Sequence, residues 1–241
     1  MFPDALLDLD GYDLRSIHHW GWRDMARMAE VLPRRGALYA LLHRLKGEKV
    51  ARRKEVVETL FVLDRLAPEL SRARTVCEAG AGHGQLGLFT AALGAGAVEV
   101  LQIDRRQPES FGRIQELLTL ERPAAKTAVR YYQKRLDLID ALPRCDLAVG
   151  VHLCGALTDT FADLACAARV PFAVVPCCEA RALLPAGVDV PSGDPEPAVT
   201  ALRLARWRAR GYSVVERSIP LEVTDRGRLF VCEPVTQSDR V

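Results

Sequence analysis

The stretch Glu78-Ala-Gly-Ala-Gly-His-Gly constrains this chain more than any other. Arg74-Thr-Val-Cys before it reads as a short strand, and Gln85-Leu-Gly-Leu-Phe-Thr-Ala-Ala-Leu after it reads as a helix. A strand that passes through glycines into a helix N-terminus builds a cradle for a small ligand. The glycines permit a tight turn and close backbone approach, and free N–H groups at the helix start attract polar ligand atoms. A dinucleotide site wants G-x-G-x-x-G directly after the strand, to seat a pyrophosphate. Here Gly80, Gly82 and Gly84 alternate, and Glu78 closes the strand before them. A carboxylate at that place repels a pyrophosphate and suits a cation.

The next apolar run, Val98-Glu-Val-Leu-Gln-Ile, ends in Asp104. In doubly wound folds a carboxylate at this spacing holds a ribose diol. A ligand with a ribose, an amine and a sulfonium, but no phosphate, fits both acids. The plainer reading is a glycine-rich turn beside solvated carboxylates. Glu-x-Gly-x-Gly followed by Asp104 resembles motifs I and II of class I S-adenosylmethionine (SAM) methyltransferases. The resemblance implies that Glu78, Gly80, Gly82, Gly84 and Gln85 hold the methionine part of SAM. It implies further that Asp104, with Arg105 beside it, holds the ribose; Asp137 after the third strand either accepts from the adenine amino group, with Leu138 against the ring, or simply faces solvent.

Residues 12–70 read as helices, with Leu38, Leu41, Leu42 and Leu45 and then Val56, Val57, Leu60, Phe61 and Leu63 at helical spacing before Pro68. After Ser71 strands and helices alternate. Strands are expected near Thr75–Cys77, Val98–Ile103, Val129–Tyr132, Leu147–Val151, Phe172–Val175, Tyr212–Ser218 and Arg228–Cys232. Helices are expected near Gln85–Leu93, Pro108–Leu120, Ala156–Ala168 and Pro197–Arg210. Five β/α units and a terminal antiparallel pair predict an α/β fold, a Rossmann-like, mostly parallel sheet of seven strands. The division expected is an N-terminal helical extension over 1–70 and a SAM-dependent methyltransferase domain over 71–241. The tract from Leu184 to Pro197, rich in Pro and Gly, reads either as a lid over the ligand edge or as a connector.

At 241 residues and 49% hydrophobic, the chain can bury a full core. Seven cysteines without regular spacing suit reduced thiols, and with no secretory leader pattern at Met1-Phe-Pro-Asp they predict a cytoplasmic protein. No apolar run reaches the ~20 residues that a membrane-spanning helix needs. The net charge of +2 hides an asymmetry. From Arg34 to Lys54 there are eight Lys or Arg residues and one acid, Glu48, so this segment carries +7 and the remainder −5. Arg52, Arg53 and Lys54 at its end are candidate contacts to a polyanionic substrate. A solvated helix face explains them equally well.

The acceptor chemistry belongs at the carboxyl ends of the fourth and fifth strands. The fourth runs into His152-Leu-Cys-Gly and the fifth into Val174-Val-Pro-Cys-Cys-Glu179. His152 is a candidate general base, since imidazole is suited to proton transfer near neutral pH, or it orients substrate or stacks on SAM. Adjacent fourth and fifth strands would gather His152 and Cys154 near Cys177 and Cys178, with Glu179 a candidate substrate contact. The thiols read as small residues packed beside a pocket, as zinc ligands without a standard knuckle spacing, as a nucleophile toward a pyrimidine C6, or as other substrate contacts. No Asn-Pro-Pro-Tyr or Asp-Pro-Pro-Tyr follows the fourth strand, which argues against adenine amine methylation by that motif.

His152-Leu-Cys-Gly-Ala-Leu-Thr-Asp159 followed by Pro176-Cys-Cys-Glu179 resembles the family of eukaryotic tRNA acceptor-stem ribose 2′-O-methyltransferases and related methyltransferase-like proteins. The basic run Lys49 to Lys54 before the glycine loop is similar as well. This resemblance implies SAM as cofactor and an RNA as substrate. The extra Cys/His zinc modules of the tRNA enzymes are missing here, so a small-molecule or protein acceptor, or a SAM-binding protein without catalysis, stands beside that reading.

Overall fold

The computed structural model describes residues 44–45, 50–94, 97–121, 123, 125–177, 181–186, 190 and 193–236. The helices expected within 12–43, along with Cys178, Glu179 and part of the 184–197 tract, lie outside these residues, and Arg53 is described in its backbone only.

Apolar runs become strands shielded on both faces. β1 (Thr75–Ala79), β2 (Glu99–Asp104), β4 (Leu147–Leu153) and β5 (Phe172–Pro176) keep nearly every residue from water, as parallel strands covered by helices do. β3 (Val129–Gln133) is an edge strand, pairs only with β2, and is largely exposed. The order is β3-β2-β1-β4-β5-β7-β6. All pairings are parallel except those of β7 (Arg228–Pro234), which runs antiparallel between β5 and β6 (Tyr212–Ser218). The expected seven-stranded sheet is therefore the one observed. Its order reverses between β1 and β4, which opens a crevice at the carboxyl ends of those strands.

Seven α-helices flank the sheet among the described residues: α1 (Arg53–Arg65), α2 (Ala67–Arg72), α3 (Gln85–Leu93), α4 (Glu109–Glu121), α5 (Ala125–Ala128), α6 (Ala156–Ala168) and α7 (Glu196–Ala209). Alternate strand residues point to opposite faces. Val76, Val149 and Val175 thus meet Val56, Leu60, Phe61 and Phe89 in one core, while Cys77, Ala148 and Val174 meet Phe161 and Trp207 in another. The second core is aromatic: Phe172 lies 5.4–5.9 Å from the rings of Phe161, Trp207 and Tyr212, mostly edge to face. Helices α1 and α2 share the first core with the sheet. Buried Glu69 of α2 adds a double hydrogen bond from Arg217 of β6, both contacts 2.7 Å.

The expected end of β4 at Val151 is passed by two residues. The strand continues through His152 to Leu153 with a register irregularity against β5, and His152 has φ 56°. A left-handed non-glycine residue inside a strand is uncommon, and such bulges serve to re-aim a side chain.

Candidate functional site

The loop from β1 to α3 takes three left-handed glycines, Gly80, Gly82 and Gly84, with φ of 70°, 52° and 74°. Gly84 has a further reason: a Cβ there would lie 2.5 Å from the Phe111 ring. Gly87, inside α3, allows close approach, because its Cβ would sit 2.8 Å from Glu78 Oε2. The Gly87 N–H donates to that oxygen at 2.9 Å, and Gln102 Nε2 donates to it at 2.5 Å. Burial pushes the Glu78 carboxyl up to about 7; the hydrogen bonds from Gln102 and Gly87 hold it back, and the charge of Asp104 adds to the rise.

Asp104, at the end of β2, accepts from the N–H of Gly82 at 3.0 Å and of Arg106 at 3.1 Å. The tip of the loop is thereby tied to the second strand, while Arg105 is exposed beside it. Farther along, a cavity of about 460 Å³ is lined by Ile103, Tyr132, Lys134, Leu138, Ile139 and Asp140, among others. Of the pair expected at the adenine, Leu138 lines this cavity. Asp137 instead lies on the surface with its carboxylate held by Arg135 at 3.0 and 2.6 Å, and these bonds keep its pKa below the usual range. Asp140, three residues on, is the acid that the cavity presents.

On the other side of the glycine loop lies a cleft of about 280 Å³. Helix α1 lines it with Glu55, Glu58, Thr59 and Val62, the i, i+3, i+4, i+7 face of one helix. Glu78, Gly80, Gln85 and His152 line it from the sheet side. The bulge aims His152 at Glu58: Nε2 stands 2.8 Å from Oε1, and Nδ1 is buried without a partner. Burial is the largest influence on Glu58 and raises its pKa, but hydrogen bonds with His152 and Thr224 and the charges of His152 and Lys54 outweigh it, so the net shift is downward. Glu58 is thus an anion beside the imidazole.

Cys154 is exposed, with Sγ 3.7 Å from the His152 carbonyl oxygen. The register Leu153↔Pro176 brings Cys154 and Cys177 to one sheet edge, as the adjacency of β4 and β5 requires. Cys177, however, lines a separate small hollow with Thr200, Arg228 and Phe230 rather than the cleft that holds His152. Among the described residues no group of three or more His, Cys, Asp or Glu is placed to hold a metal ion. Arg52 and Lys54 are exposed at the start of α1, next to Glu55 of the cleft.

Three residues absent from the sequence reading belong to this region. Glu55 and Glu58 were discoverable from the helical face they share with Thr59 and Val62. Arg203, only 4% exposed, binds both oxygens of Asp159 at 3.0 and 2.8 Å and the carbonyl of Gly155 at 3.0 Å. It pins the turn that follows His152, and nothing in the Arg-rich sequence of α7 marks it out.

The donor set fits SAM. Gln85 Oε1 is a buried acceptor without a partner, Glu78 and Glu55 lie beside it in the cleft, and Asp104 stands at the end of β2. An ammonium and a ribose diol are hydrogen-bond donors suited to such a set of acceptors. Residues 49–183, more than half of the chain, match the family described as a methyltransferase domain. No curated protein sequence matches the chain. Among solved structures, the methyltransferase domain of bacterial CtHen1-C superposes with TM-score 0.52 at 14% identity, over 76% of this chain and 100% of that one. An O-methyltransferase family protein from Burkholderia thailandensis gives TM-score 0.49 at 13% identity, over 89% of this chain and 63% of its own length, so this chain spans less than two thirds of that relative. An rRNA methylase from Streptococcus thermophilus gives 0.49 at 11% identity, over 72% of this chain and 96% of that one. With the family match and the strand order, the chain belongs to the methyltransferase-domain family and is a class I SAM-dependent methyltransferase.

Proposed function

We propose that this protein methylates an oxygen or nitrogen of an RNA, with His152 taking the proton that the acceptor sheds. The contact between His152 and Glu58 carries this reading. SAM, when bound, supplies a methyl group on a sulfonium that leaves as a neutral thioether. Glu58, an anion 2.8 Å from Nε2, offsets the charge the ring gains on taking that proton. Most of the rate in such a transfer comes from in-line positioning of the acceptor, and the bulge of β4 supplies the fixed side chain against which it is positioned.

RNA is supported by the exposed Arg52 and Lys54 at the mouth, by the +7 segment they end, and by the likeness of the His152-Leu-Cys-Gly and Pro176-Cys-Cys segments to the tRNA 2′-O-methyltransferase family. Proton acceptance by His152 is favoured over a thiolate nucleophile by the placement of Cys177 in a separate hollow.

The test is methyl transfer from tritium-labelled SAM into a cell extract lacking this protein, with RNA, protein and small molecules counted separately. Label is expected in RNA. His152→Ala should reduce it at least about 100-fold, as loss of a general base does, while SAM affinity measured by calorimetry stays within about threefold. Label confined to proteins or metabolites would overturn the RNA assignment, and undiminished transfer by the variant would overturn the base.

A further inference from the structure

The cleft beside the glycine loop is built of hydrogen-bond acceptors. Its lining includes the carboxylates of Glu55, Glu58 and Glu78 and no Lys or Arg side chain among the described residues. Glu58 has its Oε1 2.8 Å from Nε2 of His152. Glu78 already accepts from Gly87 and Gln102, and with its carboxyl held near pH 7 it supplies only part of a negative charge there.

Glu55 differs. Its Oε2 receives a long hydrogen bond, 3.3 Å, from Gln85 Nε2, and among the described residues its Oε1 has only Arg52 at 3.8 Å, a side chain 87% exposed. Gln85 is itself 6% exposed, and while its amide nitrogen is turned to Glu55 its Oε1 is enclosed without a partner among the described residues. An enclosed acceptor without a donor is costly and rare in folded proteins, and it marks a place where a ligand donor is expected. A primary ammonium has N–H donors and no acceptor, and it needs a full counter-charge on leaving water.

We propose that Glu55 and Gln85 together form the acceptor pair for the α-ammonium of SAM, so that recognition of the cofactor's amino-acid end depends on helix α1, ahead of the glycine loop. Glu55 supplies the charge and Gln85 Oε1 the neutral acceptor. The pairing also explains why the first residue of α3 is an amide: a carboxylate there would repel Glu55, and an aliphatic side chain would leave the ammonium one acceptor short.

The experiment is calorimetric and needs no acceptor substrate. Binding of SAM, of its demethylated thioether S-adenosylhomocysteine, and of 5′-methylthioadenosine, a neutral thioether with the nucleoside but no amino-acid end, is measured for wild type and for Glu55→Gln, and the loss expected for SAM is expected for S-adenosylhomocysteine too. The variant is expected to bind SAM about 10- to 100-fold more weakly, as for loss of a charge-assisted hydrogen bond, and to bind methylthioadenosine as wild type does. Unchanged SAM affinity would overturn the proposal. So would an equal loss for SAM and methylthioadenosine, because that would mean the substitution acts by disturbing α1 rather than by removing a contact to the ammonium.

Discussion

Glu78 shows how one side chain can tie cofactor binding to pH. It is 5% exposed, and its buried carboxyl titrates at about 7 rather than near 4.5. The native state therefore binds a proton that the unfolded chain has already released. Taken alone, this group stabilises the fold at low pH and loses that contribution as pH rises from about 4.5 through about 7. A cationic ligand reverses the preference, since it favours the carboxylate. Binding of SAM should then release a proton and strengthen with pH. Between pH 6 and pH 7.5 the dissociation constant is expected to fall by up to about eightfold, the ratio given by one group titrating near 7. Calorimetry in two buffers of different ionisation enthalpy reads the proton directly. In Glu78→Gln, which cannot titrate, both the pH dependence and the proton release should vanish; a wild type without them would show that Glu78 is not coupled to the ligand.

Among the elements, the turn from β4 into α6 carries the most constraint. His152 is left-handed, Gly155 at the helix cap has φ 57°, and both are held by what packs around them. Arg203 of α7 is the clamp, with three hydrogen bonds to Asp159 and Gly155. Breaking a buried pair leaves its partner uncompensated, though Asp159 is 24% exposed and recovers some hydration. Arg203→Met is therefore expected to cost roughly 2–3 kcal/mol in urea denaturation. The neighbouring pair of Arg206 with Asp163, whose side chains are 47% and 37% exposed, should cost less than about 0.5 kcal/mol on Arg206→Met. Equal effects would mean that Arg203 is not the clamp. This turn also marks the limit of what the sequence discloses. The strands from Thr75 to Val175 and helices α3, α4, α6 and α7 were legible because apolar runs and helical spacing record burial directly. The glycine loop was legible because only glycine takes its backbone at low cost. The bulge at His152 left no trace, since neighbouring strands rather than local propensity force a histidine into that conformation. At Asp137 two readings stood open for a different reason: Arg135, two residues earlier, captures its carboxylate, and spacing from a strand cannot foresee that competition. Glu55 and Glu58 were overshadowed by the basic run beside them, although their spacing alone describes a helix face.

Across the whole molecule, helix α1 joins three environments. Val56, Leu60 and Phe61 enter the core beneath the sheet, Glu55 and Glu58 face the cleft, and Arg52 and Lys54 are open to solvent at its first turn. The chain's small net charge of +2 conceals this division, because the basic segment from Arg34 to Lys54 is offset by acids spread over the rest. A polyanion approaching such a surface would be drawn to Arg52 and Lys54 beside the cleft, which orients it before any specific contact forms. Binding of that kind releases counterions, so its strength should fall steeply with salt, with a log–log slope that shrinks by roughly 0.7–0.9 for each phosphate contact removed. For the double variant Arg52→Glu, Lys54→Glu, measured by fluorescence anisotropy with bulk tRNA from 50 to 300 mM salt, the slope is expected to lose roughly 1.4–1.8 units. At the lowest salt its affinity should drop by at least about tenfold, since each charge reversal adds repulsion to the lost contact. A tRNA affinity that is already weak and independent of salt in the wild type, or a variant with an unchanged slope, would make this face of α1 a solvated surface and move the acceptor from RNA to a protein or a small molecule.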